Sequence, residues 1–264
     1  MRPSTRCWQI SLVRSGRAGR CCWVCSSAAS SCSCAAGSGS WVRCSGARFS
    51  AWGAAALLQT RSLSKRFGAH TAVDAVDLDV RAGTLHSIIG PNGAGKTTLF
   101  NLITGDLSPS AGEIVFQGQP IAHLDSARRS RLGIGRSFQR TNIFPHSSVL
   151  ENVRIAAQSR SSASFDLWRP ARSLHRITER AHGVLEEIGL AGHAGQLASE
   201  LAGGDQRLLE LAIALATEPT LLLLDEPSQG LSPEDAKRLM GRIRALSARY
   251  TILLIEHNVG LVME

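Results

Sequence analysis

Residues Gly90-Pro91-Asn92-Gly93-Ala94-Gly95-Lys96-Thr97 match the phosphate-binding pattern Gly-x4-Gly-Lys-[Ser/Thr] at every fixed position. No other stretch constrains the fold as much, because the pattern demands a strand before it and a helix after it. Both are legible. Leu85-His86-Ser87-Ile88-Ile89 reads as a buried strand and Thr97-Thr98-Leu99-Phe100-Asn101-Leu102-Ile103 as a helix. Backbone N–H groups of such a loop, together with the helix N-terminus, present partial positive charge to phosphate oxygens. The glycines let the backbone approach closely, Lys96 reaches the terminal phosphates, and the Thr97 hydroxyl can ligate Mg²⁺. A glycine-rich surface turn with an incidental lysine would lack this strand–loop–helix context. The loop predicts a nucleoside triphosphate site.

Strand and helix signals continue on both sides of it. Residues 57–63 and 76–80 alternate apolar and polar, as half-buried antiparallel strands do. Glu113-Ile114-Val115-Phe116 reads as a short strand closed by Gln117-Gly118-Gln119-Pro120, and residues 134–138 as another strand. From 147 to about 217 the pattern is helical. Two continuous apolar runs follow, Leu221-Leu222-Leu223-Leu224 and Ile252-Leu253-Leu254-Ile255, which suit strands of a parallel sheet covered on both faces. Residues 233–249 between them read as a crossover helix, with Pro233 in its first turn and Ser232 as N-cap.

Three buried strands thus end on chemically capable residues: Ile89 on Gly90, Leu224 on Asp225-Glu226, and Ile255 on Glu256-His257. Ligands of open α/β sheets bind at the carboxyl ends of the strands, so these ends predict one shared site. A hydrophobic run closed by an aspartate is the magnesium-associated motif of phosphate-loop NTPases, which assigns Asp225 to the metal. Glu226 beside it can polarise an attacking water as general base. The bland reading is that Asp225-Glu226-Pro227 only starts a loop.

The charge of +8 would ordinarily point to nucleic acid or an anionic membrane. Its distribution argues otherwise. Residues 1–58 carry seven arginines and no acidic residue, so the remainder has a formal charge of only +1. All seven cysteines, Cys7 to Cys44, also lie in this leader. The body without cysteine fits a reducing compartment with no disulfide framework. Cys22-Trp23-Val24-Cys25 lacks the surrounding pattern or second pair that zinc or redox chemistry would need. Residues 1–56 show no sustained helical or strand period. Three readings are open for them: an organellar transit peptide, a misassigned start, or translation of a wrong frame. No stretch approaches the roughly 18 apolar residues that span a bilayer.

Leu201-Ala202-Gly203-Gly204-Asp205-Gln206-Arg207 precedes an amphipathic stretch at 208–217. With this motif the chain resembles the ATP-binding cassette ATPases, whose signature is Leu-Ser-Gly-Gly-Gln. The resemblance covers residues 57–264. It implies an α/β phosphate-loop NTPase core, with a mixed sheet and an antiparallel β subdomain, plus an α-helical signature subdomain at about 140–217. It implies ATP and Mg²⁺ as cofactors, with Gly90 through Thr98 around the phosphates, Lys96 acting on them, and Thr97, Gln139 and Asp225 at the metal. Gln139, in Ser137-Phe138-Gln139, matches the glutamine loop; His257 matches the switch histidine that contacts the γ-phosphate; Phe67 matches the aromatic that stacks on adenine, with core packing as its alternative. Ala202, Gly203, Gly204 and Asp205 would contact the γ-phosphate held by an opposed subunit, so that two ATP are sandwiched between two such domains. Two departures stand out: Ala202 replaces a serine, and Asp205 stands where glutamine is usual. Gln229-Gly230-Leu231-Ser232 fills the loop that crosses the dimer interface without its usual aspartate.

Phe144-Pro145-His146 to Val153, the Gly204-Asp205-Gln206-Arg207 run and Ile255-Glu256-His257 together resemble one subgroup, the ATPases of high-affinity branched-chain amino acid importers. That resemblance implies a second ATPase subunit, identical or not, and transmembrane permease subunits docked on the segment after Gln139. It also implies an indirect extracytoplasmic substrate-binding protein, no nucleic acid, and a place on the cytoplasmic face of the inner membrane. Members of the family continue a few tens of residues past the switch histidine, so the end at Glu264 reads as truncated. Two other functions remain: a soluble ATPase of the family acting on DNA or ribosomes, against which the single cassette and near-neutral body count, and a non-functional ATP-binding remnant.

Overall fold

The computed structural model describes residues 32–36, 40–44, 56–137, 143–159, 172–258 and 261. Within the leader, β1 (Cys32–Ala36) and β2 (Ser40–Cys44) pair antiparallel, with Cys32 opposite Cys44 and Ala36 opposite Ser40. Periodicity gave no sign of this pair. The chain divides into two compact units, residues 1–126 with 253–264, and residues 127–252.

In the first unit the alternating stretches become one long hairpin, β3 (Ala56–Phe67) and β4 (His70–Arg81), turned at Gly68-Ala69. Both strands are longer than their apolar alternation implied, because backbone pairing persists where the side chains become exposed. Leu58, Leu63, Val73, Val76, Leu78 and Val80 line the buried face. β6 (Ala111–Phe116) pairs with the other edge of β3, and β7 (Gln119–Pro120) with β6, in the order β4-β3-β6-β7. Gln117 and Gly118 make the β6–β7 turn, both at positive φ, as two-residue hairpin loops require. β5 (Leu85–Ile89) lies beside β10 (Thr251–Glu256) in a separate sheet. Helix α1 (Lys96–Thr104) buries Leu99, Phe100, Leu102 and Ile103 completely. Each such side chain stabilises the fold by about 1.5–3 kcal/mol relative to exposure, which fixes the helix start that follows the phosphate loop.

The second unit holds a parallel pair, β8 (Ile134–Ser137) against β9 (Leu221–Asp225), with Ile134 opposite Leu221 and Ser137 opposite Leu224. The four leucines of β9 are all buried, as its unbroken apolar run predicts. α2 (Ser126–Arg131) leads into β8. α3 (Val149–Ser159), α4 (Arg172–Ile188) and α5 (Gly203–Ala216) pack on one another, and α6 (Pro233–Leu246) packs on α5. α5 starts at Gly203, five residues earlier than the apolar pattern indicated. The Gly-Gly pair, poor in helix propensity, forms its first turn. α6 begins as predicted: Ser232 Oγ accepts from the Asp235 N–H at 3.1 Å, and Pro233 occupies the first turn.

Candidate functional site

The loop from Gly90 to Gly95 joins β5 to α1 in the first unit. Its shape follows from its composition. The Ala94 N–H closes a turn onto Pro91 O at 3.2 Å, and Gly95, at φ +80, is the N-cap of α1 with no capping side chain. Gly95 brings no side-chain acceptor to the first turn of α1, and a helix N-terminus of this kind presents N–H groups toward an anion. Lys96 is only 5% exposed, and its Nζ donates to Gly90 O at 2.7 Å and Pro91 O at 3.0 Å. The ammonium is thus folded across the mouth of the loop by the loop's own carbonyls. Thr97 and Thr98 follow in the first turn, half-buried, while Pro91, Asn92 and Gly93 are exposed.

Phe67 ends β3 and is 47% exposed, which removes core packing as the reason for it. Lys65 Nζ stands 5.2 Å from the centroid of its ring. His257 follows β10 directly and is exposed, whereas Glu256 before it is fully buried.

Asp225 closes β9 in the second unit and is buried; its Oδ2 accepts from Arg136 Nη2 at 3.3 Å. Glu226 comes next, half-buried and in the left-handed region at φ +49. The signature turn stands at the start of α5. Ala202 is its N-cap, exposed and without a side-chain acceptor. Gly203 has open space around it, while Gly204 is buried. Asp205 Oδ1 accepts from Arg238 Nη2 at 2.8 Å. Gln206 holds the turn from behind, Nε2 donating to Leu201 O at 3.1 Å. Gln139 lies outside the described residues.

Three residues were missed by sequence reasoning. Arg136 sits in a strand reading Ile134-Gly135-Arg136-Ser137, and a lone guanidinium in a buried strand requires an acid within reach; that was the available signal. Arg238 on α6 carried no signal, because its partner Asp205 is remote in sequence, and Asp235 joins the site only through Arg238 and Ser232.

The donor set bears on the metal. Thr97 and Asp225 offer hard oxygens, as Mg²⁺ prefers, and no group of three or more His, Cys, Asp or Glu among the described residues forms a cage. Mg²⁺ bound through a carboxylate or a hydroxyl together with substrate phosphates needs no cage, so each of these oxygens is of a kind that suits it.

Residues 73–229 match the family model for ABC transporters. The high-affinity branched-chain amino acid transport ATP-binding protein LivG of Salmonella typhimurium is 42% identical over 214 residues, covering 78% of this chain and 84% of that protein. A crystal structure of an ATP-binding cassette of an ABC transporter in its ADP conformation superposes with a TM-score of 0.70 at 34% identity, covering 79% of this chain and 84% of the other. The dimeric structure of a bacterial ABC transporter cassette gives 0.65 at 26% identity, covering 78% and 90%.

Proposed function

This chain belongs to the ABC transporter family, and we propose that within it the chain is the energy-coupling ATPase of an importer for branched-chain or related amino acids. It is a nucleotide-binding ATPase, as the family is. The observation that carries the finer reading is 42% identity with LivG across 84% of that protein's length.

Mechanistically, the N-terminus of α1 and the Lys96 ammonium would take the phosphates of ATP, with Gly90 to Thr98 as the cradle and Phe67 stacking on adenine. When bound, Mg²⁺ would neutralise charge on the phosphate oxygens. Thr97 and Asp225 would hold it, joined by Gln139. Glu226 would orient water in line with the γ-phosphate, and His257 would contact that phosphate's oxygens. The turn Ala202-Gly203-Gly204-Asp205 would face the nucleotide of a second subunit, mainly through backbone N–H groups. That subunit, transmembrane permeases and an extracytoplasmic binding protein complete the proposed assembly, peripheral to the inner membrane. Consistent with docking, Phe144, Ile155 and Leu197 expose large apolar side chains, and no helix among the described residues is long and apolar enough to cross a membrane. The proposed ATPase domain spans residues 57–264, with residues 1–56 as a leader outside it.

The test is twofold. Purified protein should hydrolyse ATP, and Lys96→Ala should weaken nucleotide binding by about ten- to a hundredfold, as loss of a charged hydrogen bond implies. Cells lacking the gene should lose uptake of labelled leucine, isoleucine or valine, with Glu226→Gln failing to restore it. Intact uptake of all three would sink the substrate assignment while leaving the ATPase reading in place.

A further inference from the structure

Asp205 puts a carboxylate in the first turn of α5, where the N-cap, Ala202, offers no side-chain acceptor. Left uncompensated, that charge would repel any anion approaching the same helix N-terminus. It is compensated. Arg238 Nη2 lies 2.8 Å from Asp205 Oδ1 and 3.5 Å from Asp235 Oδ1, so one guanidinium serves a carboxylate on each of two helices. Asp235 is fixed in turn by Ser232, whose Oγ donates to Oδ2 at 2.8 Å and accepts from the Asp235 N–H at 3.1 Å. The helices meet closely here: a Cβ on Gly204 would lie 2.6 Å from Asp235 Oδ1 and 2.7 Å from its Cγ. Ser232 is also the residue on which the loop after Glu226 ends, a loop held by Gln229 N–H to Glu226 O at 3.0 Å and Leu231 N–H to Ser228 O at 3.2 Å.

We propose that Arg238 is a positioning residue for the signature turn: it cancels the charge of Asp205 and ties the turn, through Asp235 and Ser232, to the segment that leaves Glu226. It touches no substrate. Asp205 accordingly acts through Arg238 and not as a phosphate contact, and the departure from glutamine at this position is matched by a cation on α6. This rests on the reading that the signature turn faces a second subunit's nucleotide.

The experiment uses the full chain carrying Glu226→Gln, so that bound ATP is not consumed, and follows ATP-driven self-association by analytical ultracentrifugation. Binding of a fluorescent ATP analogue and the thermal midpoint are read in parallel. Adding Arg238→Ala should weaken association about tenfold while leaving binding of the analogue by the unassociated chain within twofold. Arg238→Gln, which keeps hydrogen-bond donors and removes only the charge, should do the same if the alanine variant folds poorly. The decisive variant is Asp205→Gln with Arg238→Ala, which should associate like Asp205→Gln alone, because the signature turn itself then carries no charge to cancel. Association unchanged in Arg238→Ala and Arg238→Gln overturns the inference, as does a double variant as weak as Arg238→Ala. Absence of ATP-driven association in the Glu226→Gln parent overturns the reading that the second subunit is another copy of this chain, and this inference with it.

Discussion

Arg136 Nη2 stands 3.3 Å from Asp225 Oδ2, with the two side chains 11% and 0% exposed. The strand before the helical region thus supplies the counter-charge for the carboxylate assigned to the metal. Removing one partner of such a pair takes this counter-charge away from a charge that stays buried. Arg136→Met is therefore expected to cost about 3–5 kcal/mol, measured by urea unfolding. Arg136→Met with Asp225→Asn should lose clearly less than the sum of the two single losses. A single-variant loss near zero would mean that water, not Arg136, solvates the carboxylate.

The antiparallel sheet offers a paired comparison of two glycines at similar positive φ. Gly112, at φ +89, faces the β3 irregularity between Arg61 and Ser64, where an added Cβ would lie 2.4 Å from Ser62 O. Gly118, at φ +76, has nothing within 4 Å. Gly118→Ala should cost only the left-handed backbone penalty, roughly 1–2 kcal/mol. Gly112→Ala adds a clash with backbone and should exceed about 3 kcal/mol. Equal losses in chemical denaturation would show that β3 shifts freely.

Ala202→Ser supplies the N-cap acceptor that α5 lacks. A serine cap contributes about 1 kcal/mol, so the thermal midpoint should rise by a few degrees. The same hydroxyl can donate to an anion at the turn, so hydrolysis at limiting ATP should rise as well. A higher midpoint with unchanged hydrolysis would confine the effect to capping.

Glu151 and Arg154 form a two-pronged pair on α3, with Nε to Oε1 at 2.9 Å and Nη2 to Oε2 at 2.7 Å. The hydrogen bonds from Arg154 hold the Glu151 carboxyl below its ordinary value of 4.5, against a smaller opposing effect of burial. A pKa depressed on folding gives stability that is complete above the unfolded value and lost as pH falls through the folded one. Since Glu151 is 45% exposed, its contribution is only about 0.3–0.5 kcal/mol. The gap between parent and Glu151→Gln in denaturant titrations should be that small at neutral pH and close as the pH drops below 4.5. A gap that widens in acid would refute the assignment.

Much of the fold was legible because its signals are local. The phosphate loop, the β6–β7 turn at Gln117-Gly118, the leucine run of β9 and the Ser232 cap each depend on a few consecutive residues, and each appears where the sequence put it. The start of α5 was misplaced because glycine propensity opposed a turn that tertiary packing on Asp235 imposes. The β1–β2 pair lacks apolar alternation, the signal on which the sequence reading of strands relied. Residue types at the ends of β9 and β10 singled out Asp225, Glu226 and His257 as candidates. Arg136 and Arg238 stayed hidden because their partners lie 89 and 33 residues away.

Glu226 sits at φ +49, where an L-residue is strained by about 1–2 kcal/mol and glycine is not. A library sorted only for heat resistance would therefore drift toward glycine there and discard the residue assigned to water. Survivors of such a sort would melt later and, on the proposed role of Glu226, lose turnover. Endurance and turnover pull in opposite directions at a single torsion angle, so any campaign to harden this protein has to hold position 226 fixed by hand.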